Sequence, residues 1–161
     1  MTSSRAAADP VAFRFFNEVG IIEHLSRTAF ERALPEGMSA ASFAVLNHFV
    51  RLNKAGESPV RLARAFQVTK GAMTNTLQRL EALGCVTLEP DPADGRGKIV
   101  RITAEGRRMR ESCVAVVAPL YAALHEEIAP SELETVLPIL TRVRQILDAA
   151  RDAHGGDSND T

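Results

Sequence analysis

The sequence predicts a mainly α fold carrying one small β-wing: a short helix, a tight turn, a longer helix and a hairpin, with further helices before and after. Three observations predict it. Residues 60–66, VRLARAF, make about two helical turns, stop at Gln67-Val68, and leave Thr69 to start the next helix. In that next helix Met73, Leu77 and Leu80 recur at i, i+4 and i+7, which at about 100° per residue forms one narrow apolar stripe. After Gly84, a natural C′ residue, the pattern switches to period two, with Val86 and Leu88 on one strand and Val100 and Ile102 on the facing one.

The elements follow in order. Residues 1–8 are small and polar and read as a flexible arm. Asp9 is the expected N-cap of a first helix with Pro10 at its first position, running to about Ala33 through Phe13, Phe16, Leu25 and Ala29. Ser39 caps a second helix with Phe43, Leu46, Phe49 and Val50 as buried candidates, and Ser58-Pro59 starts the third. The wing strands are expected over residues 85–89 and 98–103, joined by the glycine-containing tip PDPADGRGK. Thr103 then caps a long helix that reaches about Ile128, with Pro119 predicting a kink or a break near residues 115–118. Ser131 and Glu134 form the S-x-x-E pattern of a capping box for a last helix striped by Leu133, Val136, Leu137, Leu140, Val143 and Leu147. Residues 154–161 hold no apolar side chain and read as a disordered tail.

Composition narrows the function. With 161 residues, 45% of them hydrophobic, the chain can build a core. It has no apolar run near the roughly 18 residues of a membrane span, and its Arg5-containing start lacks a signal-like hydrophobic stretch. The expected compartment is the cytoplasm. Cys85 and Cys113 are too few and too far apart for a disulfide framework or a C-x-x-C metal site, and read as small buried hydrophobes. His24, His48, His125 and His154 form no close helical pair, so neither a metal nor any other cofactor is expected. No H-E-x-x-H, G-x-S-x-G or phosphate-cradling glycine loop occurs, so the chain is not expected to be an enzyme.

The net charge of −1 conceals a gradient. Residues 59–110 hold ten basic and five acidic side chains, net +5, whereas residues 111–161 hold three and nine, net −6. The positive field therefore coincides with the helix and hairpin, the footprint of a segment that meets a polyanion.

The run Asp91-Pro92-Ala93-Asp94-Gly95-Arg96, followed after a few residues by Ile102-Thr103-Ala104-Glu105-Gly106, closely resembles the D-P-x-D-x-R wing and L-T-x-x-G helix start of the MarR-type (multiple antibiotic resistance regulator) transcription factors. The Arg79-Leu80-Glu81 and Leu83-Gly84 steps before it extend the match. The resemblance implies a winged helix-turn-helix flanked by N- and C-terminal dimerisation helices: residues 9–38 for dimerisation, 39–110 for DNA binding, and 111–153 for dimerisation again. It further implies a cytoplasmic homodimer on double-stranded DNA, acting as a repressor at a palindromic operator and released by an aromatic or lipophilic small molecule. The alternative is a winged-helix protein-interaction module without DNA binding.

Three kinds of contact are then needed. Arg61, Arg64, Lys70 and Lys98 are the candidates for phosphates. Thr74, Asn75 and Gln78 have the chemistry to read bases, since an amide pairs bidentately with adenine and a threonine methyl meets that of thymine; Arg79 is a further candidate for guanine or phosphate. By resemblance, Asp94 braces Arg96, which enters the minor groove. Gly95 stands where the family often has a second arginine, and Leu88 where it often has one in the first wing strand, which implies fewer phosphate contacts. An effector cleft between dimer helices and reader would draw on Phe16, His24, Phe43, His48 and Arg51. The family's peroxide sensors carry their reactive cysteine in the first helix, which here has none.

Overall fold

The computed structural model describes residues 9–92 and 94–155, with residues 94–96, 120 and 152–155 described by backbone alone. The arm at residues 1–8, most of the expected tail, and the side chains of Asp94 and Arg96 lie outside that description. Among the described residues the order is α1 (Val11–Ala33), α2 (Ala40–Arg51), α3 (Pro59–Ala65), α4 (Lys70–Ala82), β1 (Val86–Asp91), β2 (Asp94–Ile102), α5 (Ala104–Ala115), α6 (Ala118–Glu127) and α7 (Pro130–Gly155). The chain divides into two compact units, one ending at Ala118 and one beginning at Pro119.

The first unit holds the core. Leu46 and Phe49 of α2, Leu62 of α3, Met73, Leu77 and Leu80 of α4, and Val86 and Val100 of the wing are all buried together. The stripe on α4 thus faces inward as its periodicity predicts. On α2 the buried face is rotated relative to expectation: Ser42 and Val45 are buried, while Phe43 and Val50 are only half-buried. Phe43 instead meets Phe30 of α1, ring centroids 4.8 Å apart.

Side-chain caps set most helix starts. Ser39, Ser58 and Thr69 each accept a hydrogen bond from an amide in the first turn of α2, α3 and α4. The first helix differs from expectation: Pro10 occupies the N-cap, with no side-chain capping bond. Gln67 takes φ +53° in the turn between α3 and α4, and Gly84 takes φ +68° just after α4.

The hairpin is antiparallel and longer than the periodicity suggests, with Val86 opposite Ile102 and Leu88 opposite Val100. A register shift falls between Pro90 and Asp91. Glu57, in the loop before α3, adds an isolated antiparallel bridge to β2: its N–H donates to Val100 O at 3.1 Å and its carbonyl accepts from Val100 N at 2.9 Å.

The long helix after the wing is broken, not kinked. It stops at Ala115, turns at Val116-Val117, and resumes at Ala118, so that Pro119 falls in the first turn of α6, where its missing N–H is harmless. The capping box expected from Ser131 and Glu134 does not form. Glu132 accepts from the Ala129 amide at 2.9 Å instead, because the helix already begins at Pro130 and Ser131 lies inside it. This helix also continues through Gly155, later than the tail boundary expected at residue 154, and it contains Pro138.

Helix α1 buries no residue. Phe13, Ile22 and Leu25 on it are exposed, and in the second unit Leu137, Ile139 and Ile146 of α7 are exposed as well.

Candidate nucleic-acid interface

From Lys70 to Arg79, helix α4 carries no acid. Lys70, Gly71, Thr74, Asn75, Gln78 and Arg79 are all exposed, opposite the buried Met73, Leu77 and Leu80. Thr69 Oγ1 accepts from Ala72 N at 3.1 Å, fixing the first turn. The Thr74 hydroxyl donates to the Lys70 carbonyl at 2.8 Å, which commits its polar end to the helix. Nothing lies within 4 Å of where a side chain on Gly71 would begin. The packing of the protein itself therefore does not require a glycine there.

Around this face stand the nominated cations. Arg61 and Arg64 are exposed on α3, and Lys98 is exposed on β2 opposite Pro90. Arg61 lies 3.7 Å from the carboxylate of Glu57. The structure thus brings Arg61, Arg64, Lys70, Thr74, Asn75, Gln78 and Arg79 onto two consecutive helices, with Lys98 on the hairpin that follows.

Two residues that sequence reasoning passed over brace this surface. Arg101 of β2 donates through Nε to Glu89 at 3.1 Å and through Nη1 to the Ala55 carbonyl at 3.2 Å, tying the hairpin to the loop before α3. Glu57 is only 7% exposed, pairs with Lys54, and lies 3.7 Å from both Arg61 and His48 Nε2. The alternation along β2 places Arg101 away from the core and could have flagged it; no local pattern marks Glu57.

The five effector candidates have different surroundings. His48 packs against Phe49 and Phe66 beside Glu57, with Nε2 buried and lacking a hydrogen-bond partner among the described residues. Burial, reinforced by Lys54, pushes its pKa down, and Glu57 opposes that shift. Phe43 belongs to the α1–α2 contact, Phe16 meets Phe15 on α1, and His24 and Arg51 are exposed. Among the described residues no group of three or more His, Cys, Asp or Glu is placed to hold a metal ion. Nor is any described helix long and apolar enough to cross a membrane.

A sequence profile of the MarR family matches residues 36–97, which run from just before α2 to the wing. The multiple antibiotic resistance protein MarR of Escherichia coli K12 is 33% identical over 137 residues, covering 80% of this chain and 94% of that one. The chain belongs to the MarR family. A second relative, the transcriptional activatory protein BadR of Rhodopseudomonas palustris, is 28% identical, over 91% of this chain and 83% of that one. Among solved structures, a mutant MarR from E. coli complexed with operator DNA aligns with a TM-score of 0.57 and 29% identity, over 84% of this chain and 99% of that one. The fold is therefore a MarR-type winged helix, and the family's members are regulators of transcription.

The T-x-x-G step that carries the MarR resemblance has a hydrogen-bonding basis here. Thr103 Oγ1 donates to the Gly84 carbonyl at 2.6 Å and accepts from Gly106 N at 3.0 Å, so one hydroxyl caps α5 and ties it to the end of α4. Both cysteines are free and buried, and burial pushes both thiols up.

Proposed function

We propose that this MarR-family chain is a homodimeric repressor that binds a palindromic operator through α4 and the wing. The observation that carries the reading is the exposed face of α4 from Lys70 to Arg79, which holds no acid, flanked by Arg61, Arg64 and Lys98 within a segment of net charge +5. The MarR structure complexed with operator DNA supports it by likeness. Residues 39–110 form the DNA-binding region, in which Lys70 and the cations of α3 hold phosphates, Asn75 and Gln78 read base edges, and Asp94 with Arg96 serves the minor groove.

Residues 9–38 and 111–153 are the dimerisation segments. The apolar side chains that α1 and α7 leave exposed are the kind of surface that a second copy covers. Two-fold symmetry would then set two α4 helices about 34 Å apart, one turn of DNA. An aromatic or lipophilic effector releases the operator by binding one spacing of the readers better than another. Its contacts are proposed among Phe16, His24, Phe43 and Arg51. The partially buried His48 is the weakest of the five candidates, because protein groups already enclose it.

Gel-shift titration of the DNA upstream of the chain's own coding sequence, at two salt concentrations, tests the reading. Binding that weakens with salt and is lost in Arg96→Ala and Asn75→Ala is the expected result. Failure to bind any duplex at low salt would favour a protein-interaction module instead. Sedimentation equilibrium tests the dimer, which a charge placed at Ile22 should dissociate.

A further inference from the structure

We propose that Glu57 is a positioning residue for the operator contact, holding the wing strand β2 by its backbone and the phosphate-facing Arg61 by its carboxylate, so that anchor and wing form one rigid frame. The proposal rests on the DNA-binding reading above and deepens it. Glu57 exchanges two backbone hydrogen bonds with Val100. Its carboxylate pairs with Lys54 and lies 3.7 Å from the guanidinium of Arg61, whose side chain is otherwise 80% exposed.

The position of this acid is unfavourable on every other count. It stands two residues before the basic segment and is bonded to that segment's strand β2, where it weakens the field that attracts phosphate. Its burial costs desolvation, and an apolar side chain could fill the same space beside His48 and Val100 without that cost. Nor does the carboxylate satisfy its remaining neighbour: His48 Nε2, 3.7 Å away, stays without a hydrogen bond among the described residues. What the carboxylate does achieve is to direct two cations, Lys54 from its own loop and Arg61 from α3, toward a point fixed on the wing. An arginine on an exposed helix face otherwise samples many rotamers, and pre-setting one reduces the ordering that DNA binding must impose.

The two accounts predict opposite signs. Removing a negative charge near the DNA should tighten binding if electrostatics alone operates, and weaken it if Glu57 positions Arg61. The experiment measures the affinity of full-length protein for a duplex selected by the wild type from a random-sequence pool. Glu57→Gln is expected to weaken binding about fivefold with its thermal melt and dimerisation retained, and to add nothing in an Arg61→Ala background, since coupled residues are non-additive. Arg61→Ala alone is expected to lower the salt slope by about 0.9 per protomer. If Glu57→Gln does not fold, Glu57→Asp replaces it, retaining the charge but not the reach, with the same weakening expected. Binding as tight as wild type or tighter in the folded Glu57 variant, or an unchanged slope in Arg61→Ala, overturns the proposal. If the wild type selects no duplex at all, the DNA-binding reading fails first and this inference with it.

Discussion

A side chain begun at Gly106 would place its first carbon 2.1 Å from the carbonyl oxygen of Cys85 and 2.9 Å from Ile102 Cγ1. Helix α5 can therefore start where it does only because residue 106 has no side chain. The obstructing atom is backbone, held in turn by Thr103 N, which donates to the same Cys85 carbonyl at 3.0 Å. Gly106→Ala must push α5 away from the base of the wing, and overpacking of this kind costs about 3 kcal/mol. Urea denaturation should show that loss as a lowered midpoint with the slope unchanged. An unaltered midpoint would mean that α5 can slide without penalty.

Asn47 of α2 holds α5 from the other side. Arg110 donates to its Oδ1 through Nε at 3.2 Å and Nη2 at 3.1 Å, and both side chains are half-buried. A hydrogen bond to a charged group contributes about 1.5 to 3 kcal/mol, so Asn47→Ala should destabilise by about 2 kcal/mol. Asn47→Asp retains an acceptor and adds charge complementarity, and should lose little. Equal losses in both variants would show that Asn47 acts through packing and not through its oxygen.

The features legible in the sequence were those with a local signature. Met73, Leu77 and Leu80 announced the inner face of α4 by their spacing, and Ser39, Ser58 and Thr69 marked helix starts because a short hydroxyl side chain suits an N-cap. The junction around Glu57 had no such signature. It exists because Asn53, at φ +48°, turns the chain after α2 and returns the loop to β2, a contact between residues distant in sequence. The Ser131 and Glu134 pattern misled because Pro130, pre-set for a first helical position, moved the start two residues earlier. Exposed readers such as Asn75 and Gln78 carry no periodic signal of their own. They became candidates only through the stripe opposite them and the wing that follows.

His48 makes stability depend on pH. Burial and Lys54 lower its pKa from the ordinary 6.5, outweighing the opposing pull of Glu57, while Arg51 on its own helix adds a small lowering effect. The unfolded chain therefore binds this proton more readily than the folded one. The stabilising contribution is complete above pH 6.5 and is lost as pH falls from there toward the lowered folded value. Urea midpoints of wild type and His48→Gln at about pH 7.5 and about pH 5.5 isolate this site from the carboxylates, which titrate in both proteins. Wild type should lose more stability than the variant on acidification. An equal loss would show that His48 does not titrate differently on folding.

The thiols should be inert in the native protein. Cys85 and Cys113 are fully buried, and their pKa values are raised by burial first, then by Glu105 for Cys85 and by Cys85 for Cys113. Fewer thiolates form at neutral pH, and a reagent must wait for the protein to open. Labelling with an aromatic disulfide should be complete only in denaturant, and slow in native buffer. Rapid native labelling of either residue would contradict the burial seen here.

Gly71 separates stability from recognition. It is exposed in the first turn of α4, and a methyl group there would meet no atom of the chain within 4 Å. Gly71→Ala should therefore leave stability unchanged or raise it by up to about 0.5 kcal/mol, as alanine favours a helix. The same methyl would stand between α4 and the floor of a major groove, so operator affinity should fall. Two neighbours calibrate the cause of that fall. Asn75→Ala should cost about 1 to 3 kcal/mol on the preferred sequence and little on others, because it removes a base contact. Lys70→Ala should weaken all duplexes alike, because a phosphate contact carries no sequence information. If Gly71→Ala bound the selected duplex as tightly as wild type, α4 would not approach DNA by this face, and the assignments of Thr74, Asn75 and Gln78 would fall together.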